Sequence, residues 1–325
     1  MKKKTVVLSH PFQRAPMSAL ASEFDLRIPE PFSPSSLREL SRDAEGLISF
    51  LSDPLDRSFL EGCPNLRIVA NYAVGFNNID VGYALGRGIY VTNTPDVLTE
   101  ATADLAFSLL LAVARRIPEA ERFLREGRFE GWGANLFLGQ ELFGKTVGIV
   151  GMGRIGKAFA RRCLAFGLKV LYTGPKPLPR ADEALLNAAF LPLEELLPLS
   201  DFLSLHLPLT PESRHLLDRR RIGLMKPGSI LINTSRGPIV DEEALADSLL
   251  EGRLWGAGLD VFEQEPQIHP KLLLAERTVL LPHIGSATEE TRTRMAWMTV
   301  EALKETFAGR VPPFLVPPWR ERVSP

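Results

Sequence analysis

The stretch "TVGIVGMGRIGKAFARR", residues 146–162, constrains this chain more than any other. An apolar run leads directly into Gly151, Gly153 and Gly156, and a helical pattern begins behind them. Strand, glycine turn and helix in that order predict part of a βαβ unit, which commits the surrounding chain to a parallel sheet covered by helices. Each glycine has its own reason: the first permits a tight turn, the second lets an anionic group approach the backbone, and the third lets helix and strand pack closely. The helix N-terminus contributes unpaired N–H groups and a partial positive charge. With Arg154 and Ile155 lying between the glycines, the loop predicts a pyrophosphate cradle, and hence a dinucleotide.

The rest of the chain fits that architecture. "TVVLSH", "GLISFL", "LRIVANYAVG" and "IYVTNT" form a first series of expected strands, separated by polar helical segments. A second series runs "TVGIVG", "KVLYTG", "DFLSLHLP", "SILINTS", "GAGLDVF" and "TVLLPHIG", apolar on both faces as central strands should be. A helix from about Thr99 to Arg116 links the two series, and another covers 287–309. At 325 residues the chain is too long for one core, so two domains are expected: 99–284, and 1–98 together with 285–325.

Charge and cysteine usage narrow the partners. A net charge of −1 gives no support for nucleic-acid or membrane-surface binding. Cys63 and Cys163 show no metal-ligand spacing, so no metal is expected and a reducing cytoplasmic setting is. The start Met1-Lys2-Lys3-Lys4 looks like the head of a signal peptide, but the apolar run behind it stops at Ser9-His10-Pro11.

Two further stretches speak to chemistry. An NAD-preferring site places an acid about twenty residues beyond the glycine loop, on the ribose 2′-OH. Here "KVLYTG" ends at Gly174 and runs into Lys176 and Arg180, which would attract a 2′-phosphate, so NADP(H) is preferred and NAD(H) remains possible. Downstream, Arg236, Asp260, Glu265 and His283 sit at or just beyond expected strand ends, where the carboxyl edge of an open sheet faces its ligand. A guanidinium can hold a carboxylate and polarise the adjacent carbonyl. A histidine can protonate the developing alkoxide, and a neighbouring carboxylate fixes its tautomer. Such a trio suits a 2-oxo acid.

These segments, with "YAVGFNNIDVGYALGRGIYVTNTPDVLTEATADLAFSLLLA" and "MKPGSILINTSRGPIVDEEAL", resemble the D-isomer-specific 2-hydroxyacid dehydrogenases over nearly the whole chain, most of all the glyoxylate/hydroxypyruvate reductase branch. The resemblance implies two doubly wound parallel-sheet α/β domains, a Rossmann-type cofactor domain inserted into a flavodoxin-like substrate domain, paired as a homodimer. It implies Arg236 as binder of the substrate carboxylate and carbonyl, His283 as proton donor and Glu265 as its partner. Backbone N–H groups of Val74 and Gly75 would form a carboxylate nest, and Ser286 would line the substrate. Asp260 would support the site and contact the nicotinamide side, with Pro208, Thr234 and Gly285 lining the cofactor. "YTGPKP" resembles the NADP-using reductases.

The expected reaction is reduction of glyoxylate or hydroxypyruvate to glycolate or D-glycerate. Leu136 stands where related reductases carry a loop tryptophan, with Trp132 four residues earlier, which leaves open a D-2-hydroxyacid dehydrogenase acting on phosphoglycerate or a bulkier 2-oxo acid. Glu265, where formate dehydrogenases of the family have Gln, argues against that activity. A non-catalytic dinucleotide sensor is the alternative from another class, and the intact trio weighs against it.

Overall fold

The computed structural model describes residues 3–323, which form two compact units, 3–98 with 286–323 and 99–285. Met1 and Lys2, at the head of the lysine run, lie outside the described residues. The first unit holds β1 (Thr5–Leu8), β2 (Asp25–Arg27), β3 (Gly46–Ser49), β4 (Ile68–Asn71) and β5 (Tyr90–Thr92), all parallel, in the order β2-β1-β3-β4-β5. That is the flavodoxin-like order, whose direction reverses between β1 and β3. Its core joins Val7, Leu47, Val69 and Val91 from the strands to Leu60, Ala84 and Trp319 from the helices. Trp319 comes from the far end of the chain, and its indole N–H donates to the Ile89 carbonyl at 2.9 Å.

The second unit holds β6 (Thr146–Val150), β7 (Lys169–Thr173), β8 (Ala188–Phe190), β9 (Phe202–Leu205), β10 (Ile230–Asn233), β11 (Gly256–Leu259) and β12 (Thr278–Leu280). Their order, β12-β11-β10-β9-β6-β7-β8, is the doubly wound Rossmann arrangement, reversing between β6 and β9. A core lies on each face of this sheet, one built around Leu110, Ile149 and Phe159 and the other around Leu203, Leu231 and Leu245. Helix Thr99–Ala114 buries Ala106, Leu109, Leu110 and Val113. Gly258 on β11 lets this helix close in, since a Cβ there would stand 2.9 Å from Leu109 Cβ. No helix among the described residues is long and apolar enough to cross a membrane.

Four expectations need correction. β2 and β8 were not expected, and both are three-residue edge strands. An edge needs no continuous apolar run, and "DLR" has none. His283 is not on a strand end: β12 stops at Leu280, and Pro282, having no N–H, prevents the ladder from continuing. Arg115 and Arg116 lie beyond the last turn of the linking helix, which ends at Ala114. Gly285, expected to open the returning segment, groups with the second unit because its N–H donates to Asp260 Oδ2 at 2.7 Å and its carbonyl accepts from Thr102 Oγ1 at 3.1 Å.

Candidate active site

Three turns at the carboxyl edge of the second unit's sheet bring the charged residues together. Beyond β10, the Asn233 side chain accepts from the Ser235 N–H and donates to the Arg236 carbonyl, both at 3.0 Å. The Ser235 hydroxyl donates to the Leu205 carbonyl at 2.7 Å, tying the turn to β9. Arg236 is left in extended backbone at φ −145°, with one guanidinium nitrogen donating to the Ser235 carbonyl at 2.7 Å. Gly237 is required here, because a Cβ would fall 1.9 Å from the Phe262 carbonyl carbon. Burial disfavours the Arg236 charge and Glu265 supports it. A guanidinium stays protonated under that balance.

The turn beyond β11 carries two carboxylates in different circumstances. Asp260, 1% exposed, accepts the N–H groups of Ile284 and Gly285, each at 2.7 Å. Burial pushes its pKa up to about 6, against the pull of those donors and of His283. Glu265 accepts the Phe262 N–H on Oε1 at 3.0 Å and meets His283 Nδ1 on Oε2 at 2.8 Å. Burial opposes its ionisation too, but the His283 hydrogen bond and charge, the Phe262 N–H and the Arg236 charge together hold it below the usual carboxylate range.

His283 itself adopts a left-handed backbone, φ +55°, with its N–H on the Leu281 carbonyl at 3.1 Å. Asp260, by gripping the next two N–H groups, holds that conformation from the other side. Because Nδ1 faces a carboxylate it carries a proton, which leaves Nε2 as the nitrogen able to give or take one. Arg236, Glu265, His283 and Asp260 thus form one electrostatic cluster.

The glycine loop suits a dinucleotide. Gly151 has φ +97° and a Cβ there would lie 2.4 Å from the His206 carbonyl, while one at Gly156 would lie 2.2 Å from the Gly151 carbonyl. Gly153 differs, since a Cβ there meets nothing within 4 Å. No protein atom therefore demands glycine at 153, whereas a bound pyrophosphate would. Helix Arg154–Ala165 starts immediately after it, with Arg154 exposed and Ile155 packed partly on the core. Thr234 Oγ1, beyond β10, is buried and has no hydrogen-bond partner among the described residues, which fits a polar group of the cofactor. The Pro208 carbonyl, beyond β9, accepts from the Ser213 hydroxyl at 2.8 Å.

Beyond β7, Gly174 is followed by exposed Lys176 and Arg180, and neither makes an ion pair among the described residues. The nearest carboxylates in sequence are engaged: Asp182 with Lys157 Nζ at 2.6 Å, and Glu183 with the Tyr172 hydroxyl at 2.6 Å. In the first unit, Asn93 and Asn71 donate to the carbonyls of Val74 and Gly75 at 2.8 and 2.7 Å. Among the described residues the N–H groups of Val74 and Gly75 have no acceptor. The Ser286 carbonyl accepts from Arg292 Nε at 3.3 Å. His206 pairs Nε2 with the Ser204 hydroxyl at 2.9 Å, and burial drives its pKa down to about 3.

Sequence reasoning missed His215, Glu242 and Glu263. His215 Nε2 lies 2.6 Å from Glu263 Oε1, and Glu242 accepts the Glu263 N–H. The only signal was Glu263 standing two residues before Glu265.

Comparison with known proteins identifies the family. The family model described as "D-isomer specific 2-hydroxyacid dehydrogenase, NAD binding domain" matches residues 107–285. A glyoxylate reductase of Thermococcus litoralis is 51% identical over 284 residues, 86% of this chain and 86% of its own. One from Korarchaeum cryptofilum is 50% identical over 307 residues, 92% of each. Among solved structures, an NADPH-dependent glyoxylate/hydroxypyruvate reductase from Sinorhizobium meliloti, in complex with NADP and malonate, superposes with a TM-score of 0.88 at 35% identity, covering 97% of both chains.

Proposed function

The chain belongs to the D-isomer-specific 2-hydroxyacid dehydrogenases, in the glyoxylate reductase branch, and from that membership we propose that it reduces glyoxylate and hydroxypyruvate to glycolate and D-glycerate. The carrying observation is the 2.8 Å contact between Glu265 and His283 Nδ1 in one cluster with Arg236. A nicotinamide dinucleotide, when bound, supplies the hydride.

The chain's own residues do the rest. Arg236 holds the substrate carboxylate and polarises the carbonyl that accepts the hydride. His283, protonated on both nitrogens, gives the Nε2 proton to the carbonyl oxygen as it becomes an alkoxide, and the hydride and that proton together complete the 2-hydroxy acid. Glu265 keeps the ring oriented and balances its charge. The N–H groups of Val74 and Gly75 are donors for the carboxylate, and Ser286 lines the substrate. Asp260 shapes the turn that carries His283 and, with Pro208, Thr234 and Gly285, forms the nicotinamide side of the cofactor site. Gly151, Gly153, Arg154, Ile155 and Gly156 cradle the pyrophosphate.

The preferred cofactor on this reading is NADP(H). Lys176 and Arg180 beside Gly174 supply positive charge, and the carboxylates that would repel a 2′-phosphate are held by Lys157 and Tyr172. A homodimer in the cytoplasm is the working state. Its support is an exposed apolar series, Phe129, Trp132, Leu136, Leu138 and Phe143, with Trp132 at 87% exposure.

Absorbance at 340 nm tests the proposal, comparing NADPH with NADH against glyoxylate, hydroxypyruvate, pyruvate and a bulky 2-oxo acid. The expected result is oxidation with the two small acids, fastest with NADPH. Turnover of the bulky acid alone would move the assignment elsewhere in the family, and dinucleotide binding without turnover would overturn it.

A further inference from the structure

The turn holding Arg236 and the turn holding Glu265 are joined by side chains that the reaction does not use. His215, between β9 and β10, has a left-handed backbone at φ +47° and donates its N–H to the Pro238 carbonyl at 2.8 Å, two residues past Arg236. Its ring reaches the other turn, with Nε2 2.6 Å from Glu263 Oε1, two residues before Glu265. One residue therefore grips both turns, the first by backbone and the second by side chain.

Glu242 completes the connection. It is the first residue of helix Glu242–Leu250, and its carboxylate accepts the Glu263 N–H. The Glu242 N–H in turn lies 3.5 Å from Glu263 Oε2. Capping does not explain it, since Asp241 already caps this helix by accepting the Ala244 N–H at 2.9 Å. Surface solvation does not explain it either, since Glu242 is 5% exposed. Burial raises its pKa, so the position costs stability that a neutral side chain would not. The same two turns touch directly where Gly237 backs onto Phe262, with no room for a Cβ.

We propose that His215, Glu263 and Glu242 form a bracket that fixes the Arg236 turn against the Glu265 turn, and so sets Arg236 and the Glu265–His283 pair at the spacing the reduction needs. The inference rests on the reaction assigned above. None of the three touches substrate or cofactor in that assignment; they are positioning residues, acting through Arg236 and Glu265.

The test compares removal with conservative replacement in the full chain. Glu242→Leu deletes the acceptor at similar volume, and Glu242→Gln keeps it without the charge. His215→Ala deletes the link, and His215→Gln can still donate to Glu263. For each variant the measurements are kcat and KM with glyoxylate, the NADPH dissociation constant by fluorescence, the melting temperature, and the pH profile of kcat.

The expected outcome is a fall in kcat of about ten- to a hundredfold for His215→Ala and Glu242→Leu, the scale of a small misplacement of reacting groups. NADPH binding should stay within about twofold, and the Gln variants should recover most of kcat. The pH profile of kcat should differ between the deletion variants and the wild type, because the 2.8 Å contact between Glu265 and His283 is disturbed; the other charged neighbours of His283 are Asp260 and, through Glu265, Arg236.

Wild-type kcat and an unmoved pH profile in His215→Ala would overturn the bracket, and this half-exposed site keeps the test valid should Glu242→Leu fail to fold. Losses that follow melting temperature equally in all four variants would also overturn it. If the wild type turns over no 2-oxo acid, the assigned reaction fails separately. The bracket is then read from the NMR titration of the His283 ring: a midpoint that differs between wild type and His215→Ala supports it, and an identical one rejects it.

Discussion

The two ends of the second unit's carboxyl edge are built by opposite means. At the glycine loop, the site is made of missing atoms: Gly153 faces open space, and exposed Lys176 and Arg180 stand without ion-pair partners among the described residues. At the Arg236–His283 end, both carboxylates are already committed, Asp260 on two N–H groups and Glu265 on Phe262 and His283. The first arrangement leaves its donors for a ligand that brings its own charge. The second holds charges that would repel or collapse on one another if their turns were loose.

The contrast breaks most sharply at His283. His283→Gln should lower kcat for reduction by roughly 10²–10⁴-fold, the range for loss of a general acid, and should abolish the fall in rate at rising pH. Matching pH profiles in wild type and variant would remove His283 from the role. Next comes Arg236→Ala, with an expected loss of about 2–5 kcal/mol in transition-state binding, read from kcat/KM. Less than a threefold change would sink its assignment.

Asp260 sharpens the comparison through stability. Its folded pKa of about 6 lies above the ordinary unfolded value, so between about pH 4 and 6 the folded state binds the extra proton and stability falls as pH rises. Glu265, held low, acts the other way: it adds stability above the unfolded carboxylate value, lost as pH falls through its folded one. Denaturant titrations across pH should show that Asp260→Asn flattens the pH 4–6 slope; an unchanged slope would count against a raised Asp260.

The smallest effect belongs to the open end. Gly153→Ala should weaken NADPH binding while leaving the melting temperature within about 2 °C, since no protein atom opposes the new methyl. Gly156→Ala should instead cost about 1–3 kcal/mol of stability, because its methyl meets the Gly151 carbonyl. Equal destabilisation by both would erase the distinction between ligand-driven and packing-driven glycines.

How far each end was legible in the sequence follows from the same difference. The glycine loop is a local signal, with strand, turn and helix contiguous over 146–162. Central strands such as β6, β9 and β10 were equally readable, because burial on both faces leaves an unbroken apolar run. Arg236, Glu265 and His283 were found by residue type and by family resemblance. Their contacts were not, because a hydrogen bond between residues 18 apart, as in Glu265–His283, leaves no periodic trace. His215 and Glu242 were invisible for that reason: the bond from Glu242 to Glu263 spans 21 positions and that from His215 spans 48. Edge strands β2 and β8 hid because an edge imposes so little on its residues.

The return of the chain to its first unit has a consequence for synthesis. β5 is completed from the far end: Asn93 and Val316 exchange backbone bonds with Phe314 and Val91, and Leu315 bridges Thr92 antiparallel. On the ribosome, residues 99–285 form a contiguous stretch that can fold as soon as it emerges, while residues 1–98 must wait with an uncovered edge and an unfilled Trp319 site. The half of the protein made first is therefore the half finished last, and a released chain truncated at residue 300 should present a folded nucleotide-binding unit and a protease-sensitive one.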